Sequence, residues 1–183
     1  MEEMTGEHFV ERDFVRADLE ELHTTGCTFE TCDFTDARLS GSVHTRSAFL
    51  NCRFAGANLA TSRFHGCKLT GSDLASAKLL AIEVEGGDWS YVNLRLADLR
   101  TVSLAGVRLR GADLQECDLR DVDLRGADLS EAQLRRARLA GADLRGAELR
   151  AVGLAGLDLR GARMDLTQCV LLAESLGAVI DLS

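Results

Sequence analysis

A large apolar residue returns at every fifth position from Phe9 to Met164 without a slip. The register 9, 14, 19 and onward holds 32 slots, and only Thr24 and His44 break the apolar rule. The others are Leu or Phe, apart from Val84, Trp89 and Met164. No ordinary element accommodates this period. On an α-helix, successive fifth residues lie roughly 140° apart and scatter around the axis. In a flat strand, an odd step sends them to alternate faces. All can point one way only if the chain turns a corner in each pentad.

The corner is also legible. Of 17 Gly, 14 stand two places after the large slot, from Gly6 to Gly161. Glycine at one fixed phase predicts a turn residue with positive φ. Two places before the large slot sits a small residue, as at Ala17, Cys27, Ala37, Ser42, Ala112 and Ala127. Positions two apart on extended chain share a face, so large and small residues both point inward. The three remaining phases carry nearly all the charge and point outward. The segments GADLR at 141–145 and RGADLS at 125–130 show the unit most cleanly. Four corners of about 90° close one coil in roughly 20 residues, which predicts an all-β solenoid of stacked, four-sided coils over residues 1–164.

This pattern resembles the pentapeptide-repeat family, whose consensus is close to A-[D/N]-L-x-x, and the resemblance covers residues 9–164. It implies a right-handed quadrilateral β-helix. Coils spaced at about 4.8 Å give about eight coils roughly 38 Å tall. Proline is absent, as expected where neighbouring coils need nearly every backbone N–H.

After Met164 the period stops. Asp165 or Thr167 can cap a helix and Gly177 can end it. Leu166, Cys169, Val170, Ala173 and Leu176 follow helical spacing and form one apolar stripe, expected to cover the open end of the solenoid. Leu171 lies off that stripe, and Ala178–Leu182 reads as a short extended tail. Residues 165–183 thus form a cap. Surplus apolar surface there points to a two-fold homodimer formed through Leu166, Cys169, Val170, Leu171, Leu172, Ala173 and Leu176. The ending resembles the fluoroquinolone-resistance branch of the family, of the MfpA and Qnr types. That resemblance implies dimerisation through a C-terminal helix, binding to DNA gyrase as a mimic of double-stranded DNA, and protection against fluoroquinolones.

Charge restricts the mimicry. The chain carries net −8, whereas roughly 38 Å of B-DNA carries about 22 negative charges. Imitation must therefore be local. Residues 1–91 hold 15 acids against 8 bases, net −7, and the remainder holds 14 against 13, net −1. Candidate contact residues are Asp13, Asp18, Glu20 and Glu21 near the start, with Asp113, Asp118, Asp123 and Asp128 circling one later coil. The alternative for each carboxylate is simple solvation of a β surface. A pentapeptide scaffold for some other protein partner needs only the repeat. Nucleic acid itself is an unsuitable ligand, given the negative sum and the lack of a basic, aromatic stripe.

Nothing points to catalysis or a cofactor. A column filled by its own Leu and Ala leaves no cleft, and catalytic pockets are concave. The glycines lack the Lys-Ser/Thr of a phosphate loop, and Arg125 stands where a calcium ligand would belong. Cys27, Cys32, Cys52, Cys67 and Cys117 occupy the small inward slot without a C-x-x-C pair, so they read as core thiols. Cys169 is the one expected to be exposed. Thr24 and His44 fall in one column on adjacent coils, as a local irregularity or a small functional notch. Phe9, Phe29 and Phe49 share a column, as do Phe14, Phe34 and Phe54, and should stack. A slight bend or a widened coil is expected at 80–92, around Ile82, Gly87 and Tyr91. The N-terminus has no apolar signal segment and Cys169–Ala173 is too short to span a bilayer, so a cytoplasmic location is expected.

Overall fold

The computed structural model describes residues 2–100 and 102–181. The chain forms the expected β-solenoid, followed by one helix. Eight three-residue strands are β1 (Glu3–Thr5), β2 (His8–Val10), β3 (His23–Thr25), β4 (Thr28–Glu30), β5 (Val43–Thr45), β6 (Ala48–Leu50), β7 (Arg63–His65) and β8 (Glu83–Glu85). They build two parallel sheets, β1-β3-β5-β7-β8 and β2-β4-β6. The register steps by one coil, pairing Glu3 with His23 and Phe9 with Phe29. Beyond the strands, single bridges keep the same step as far as Asp143↔Arg163, with gaps among the described residues that include Ser103 to Asp123 and Gln133 to Gly153. Asp113↔Gln133, Asp118↔Arg138, Asp123↔Asp143 and Asp128↔Glu148 take the four walls in turn.

The corners behave as glycine phasing predicts. Among the described residues from Gly6 to Gly161, every position two after the large slot has positive φ except Ser76. Non-glycine residues share the conformation, including Glu11 (φ 51°), Asn51 (φ 53°) and Leu96 (φ 66°). The stacked ladder holds them in a region that L-residues otherwise avoid. What a Cβ would meet differs from corner to corner. At Gly56 it would push aside the exposed Asp36 carboxylate of the corner below; at Gly26 it would meet nothing.

Inside, the two Phe columns stack face to face, with centroids 4.9–5.0 Å apart, and meet each other edge-on. Later coils replace them with Leu, nearly all buried. Where one wall departs from the large-plus-small rule, volume shifts between its two inward slots. Leu22 accompanies Thr24, and Gly87 accompanies Trp89. Gly87 is drawn so close to the coil below that a Cβ would overlap the Cys67 carbonyl.

The expected widening is real and has a defined shape. Asp73↔Asn93 and Asp88↔Arg108 remain paired on two adjacent walls. On the other two walls, the described residues show no Lys78↔Asp98 bridge and no partner for β8 on the next coil. A cavity of about 360 Å³ opens there, lined by Ala77, Lys78, Leu79, Leu80, Ala97, Asp98 and Arg100.

Helix α1 (Leu166–Ser175) begins at a capping box. The Asp165 side chain accepts the Thr167 and Gln168 N–H groups, and the Gln168 side chain accepts the Asp165 N–H. The helix is rotated away from the expected orientation. Gln168 is buried and donates to the Ala147 carbonyl (3.0 Å), while Leu171 and Leu172 pack on the core. Leu166 (80% exposed), Cys169 and Leu176 (67%) face outward. The stripe expected to form the lid is therefore not the lid. The capping box fixes the phase, because Gln168 must reach both Asp165 and the last coil. Residues 178–181 are neither helix nor strand; Leu182, the end of the expected extended tail, lies outside the described residues.

Candidate functional site

The candidate site is the outer surface of the column, and its carboxylates have a local structural task first. Asp in the A-D-L slot accepts the backbone N–H two residues on. Asp13 does so from Val15 (2.8 Å), Asp113 from Gln115 (3.0 Å) and Asp128 from Ser130 (3.0 Å). This Asx-type bond satisfies a backbone donor that the ladder leaves facing outward, which explains why Asp and Asn recur there.

The eight sequence-selected carboxylates do not form one patch. Asp13 lies on one wall of the first coil, with Asp18, Glu20 and Glu21 on the next wall and its corner, and all four are exposed. Arg38 from the next coil approaches Asp18 (3.4 Å) and Glu20 (2.8 Å). Asp113, Asp118, Asp123 and Asp128 fall on four different walls. Asp118 is contacted by Arg100, Arg120 and Arg138, and Asp123 by Arg125.

A recurring Asp-Leu-Arg unit neutralises the later coils. Arg100, Arg120, Arg125, Arg145 and Arg160 each make a two-pronged contact with the Asp two residues earlier. The guanidinium hydrogen bonds hold Asp98, Asp143 and Asp158 down at about 2. Those of Arg120 and Arg125 lower Asp118 and Asp123. The first coils contain no such unit, so acidic surface concentrates there.

The column of Thr24 and His44 is closed rather than notched. His44 is buried, lies over Phe64 with the rings tilted by 32° and meets Phe49 edge-on. Its proton can be placed from the surrounding bonds. Ser62 Oγ donates to the Leu39 carbonyl (2.8 Å), so Ser42 Oγ donates to Ser62 (3.1 Å). Ser42 must then accept the His44 Nε2–H (2.9 Å), leaving Nδ1 to accept the Thr24 hydroxyl (2.8 Å). Burial, with His23 nearby, pushes the His44 imidazole down to about 3. The ring is neutral and satisfied on both nitrogens.

Burial drives the Cys52 and Cys117 thiols up to about 12 and Cys67 to about 11, so these sulfurs are poor nucleophiles. Among the described residues, no cluster of His, Cys, Asp and Glu is arranged to hold a metal ion. No described helix is long and apolar enough to cross a membrane. Sequence reasoning missed Gln168, although the Asp165-x-x-Gln168 spacing of a capping box carried the signal. It also missed Ser42, Ser47 and Ser62 as partners for Thr24 and His44. Their inward phase and their neighbouring columns were available.

Comparison with solved structures identifies close folds. A trypsin-treated variant of QnrB1, a plasmid-mediated fluoroquinolone resistance protein, superposes with TM-score 0.82 at 24% identity, covering 98% of this chain and 90% of that one. Full-length QnrB1 superposes with TM-score 0.75 at 25% identity, covering 96% and 100%. No curated protein sequence matches the chain. The pentapeptide-repeat profile matches eight copies, at residues 13–42, 45–79, 85–115, 93–130, 103–139 and 127–165. With that profile matched over most of its length, and with a corner in nearly every pentad, the chain belongs to the pentapeptide-repeat family.

Proposed function

We propose that this chain is a non-enzymatic protein of the fluoroquinolone-resistance type, which binds DNA gyrase and modulates its supercoiling. The observation that carries this reading is the fold match to full-length QnrB1, which spans 96% of this chain and 100% of that one. The interaction is made by the outside of a packed column and involves no chemistry on a substrate. Asp13, Asp18, Glu20 and Glu21 present the part of the surface closest to DNA in charge. Asp113 and Asp128 add to it from later walls, and Asp118 and Asp123 contribute less, because arginines pair with them. In this reading the protein acts in the cytoplasm and does not bind nucleic acid itself.

A second copy docks through α1. The support is the outward row Leu166, Cys169 and Leu176, an apolar surface on the element that ends the column. Val170 and Ala173 flank that row, whereas Leu171 and Leu172 hold the helix to its own core.

Purified gyrase tests the function directly. Micromolar protein should inhibit supercoiling, or reduce the cleaved complexes that a fluoroquinolone stabilises. Absence of both effects rejects the reading. It would favour a scaffold for a different protein partner, which the neutralised Asp-Leu-Arg surface of the later coils supports.

A further inference from the structure

We infer that the column is two stacks joined at a bendable seam, held open by Trp89. Four observations converge on the coil that contains residues 77–92. First, the inter-coil ladder is lost on two adjacent walls and kept on the other two. Leu74 N–H→Asn93 O, Trp89 N–H→Arg108 O, Tyr91 N–H→Arg110 O and Arg108 N–H→Gly87 O are intact. The bonds that the repeat would place from Leu79 to Asp98, Ala81 to Arg100 and Val84 to Ser103 are missing among the described residues. Rigid stacking on one side with no ladder on the other is the geometry of a hinge.

Second, Ser76 leaves the left-handed corner conformation at the entrance to the open walls, and its Oγ accepts the Gly56 N–H (3.3 Å). Third, Trp89 is the largest fully buried side chain, with an indole N–H that has no hydrogen-bond partner. It projects inward from a closed wall, opposite the open wall of Leu79 and Leu99. Its column is otherwise Phe or Leu, so the extra ring volume must be absorbed across the coil. Fourth, Leu80 (71% exposed) and Leu96 (65%) emerge beside the opening, where regular stacking would place polar or small residues.

The seam also coincides with the charge division. Residues 1–91 carry net −7 and the rest net −1. A cationic partner surface therefore pulls on one stack only, and bending at the seam lets that stack follow it. This inference does not depend on which protein the partner is.

Spin-label distances test it in a Cys169→Ser background, where the five buried thiols stay unlabelled. Labels at Thr61→Cys and Asp121→Cys span the open side, and labels at Asn51→Cys and Glu131→Cys span the closed side. Dilution with unlabelled protein isolates distances within one chain. The open-side distribution should be broader than the closed-side one, and Trp89→Leu should narrow and shorten it. Equal widths, or an open-side distribution unchanged by Trp89→Leu, overturn the inference. If Trp89→Leu does not fold, amide exchange of the wild-type protein decides. Leu79, Ala81, Val84, Asp98 and Ser103 should exchange at least about 100-fold faster than Trp89, Tyr91, Asn93 and Arg108; equal protection on all four walls overturns it.

Discussion

Replacing His44 by Phe should change how stability depends on pH more than it changes the fold. In the folded chain the imidazole is buried and its pKa is pushed down to about 3; in the unfolded chain it returns to about 6.5. The unfolded state therefore takes up the proton first. The stability contribution is fully present above about pH 6.5 and falls by about 1.4 kcal/mol per unit as pH drops toward 3. At pH 4.5, two units below the unfolded value, the loss is about 3 kcal/mol. A Phe ring fits between Phe49 and Phe64, but it removes the acceptor for Thr24 and the donor to Ser42. Those losses cost about 1–3 kcal/mol at pH 7.5. The variant should thus be less stable at pH 7.5, and the gap should close by about 3 kcal/mol at pH 4.5. Urea unfolding at both pH values, followed through the single buried Trp89, measures the gap. Surface carboxylates titrate alike in both proteins and cancel in the difference. A gap that stays constant across this range refutes the neutral, buried assignment of His44.

Gly56→Ala and Gly26→Ala should each cost about 1 kcal/mol, the left-handed penalty alone, because the exposed Asp36 side chain can swing away from the Cβ added at Gly56; thermal melts of the two variants compare them. Ellman's reagent should titrate Cys169 alone in the folded Leu176→Asp monomer and all six thiols after denaturation, since five cysteines are buried within each chain. Leu176→Asp should yield a folded monomer in sedimentation, while Leu171→Glu should destabilise the packing of α1 itself. An unaltered dimer with Leu176→Asp places the interface elsewhere. Asp165→Ala removes the helix cap and the bond to Gly146 N–H (2.8 Å), and should cost about 1–2 kcal/mol by urea unfolding.

Much of the site was legible because the repeat assigns each residue an inward or outward direction. Asp13, Asp118 and Cys117 could be placed on the surface or in the core by counting fives. The same counting showed that Asp113, Asp118, Asp123 and Asp128 circle a coil. It could not show that Arg120 and Arg125 fold back onto the neighbouring Asp, because that depends on rotamers across a curved wall. The helical stripe misled for a related reason. Leu166, Cys169 and Leu176 share a face, but periodicity identifies a face without saying which neighbour it meets. One polar anchor, Gln168, decided that.

The sequence alone determined the quarter-turn per pentad, the alternation of large and small inward slots and the corner phase. Each is a local rule, repeated until no other chain path satisfies it. Tertiary structure decided what depends on contact between coils. His44 is neutral because packing buries it, and its ring nitrogens are satisfied because Thr24 stands one coil below on the same wall and Ser42 two residues away. Two walls open beside Trp89 because core volume is shared around a whole coil. The orientation of α1 follows from Gly146 and Ala147, one coil away, which bond Asp165 and Gln168. Such pairings are set by distance in space, which a one-dimensional period does not encode.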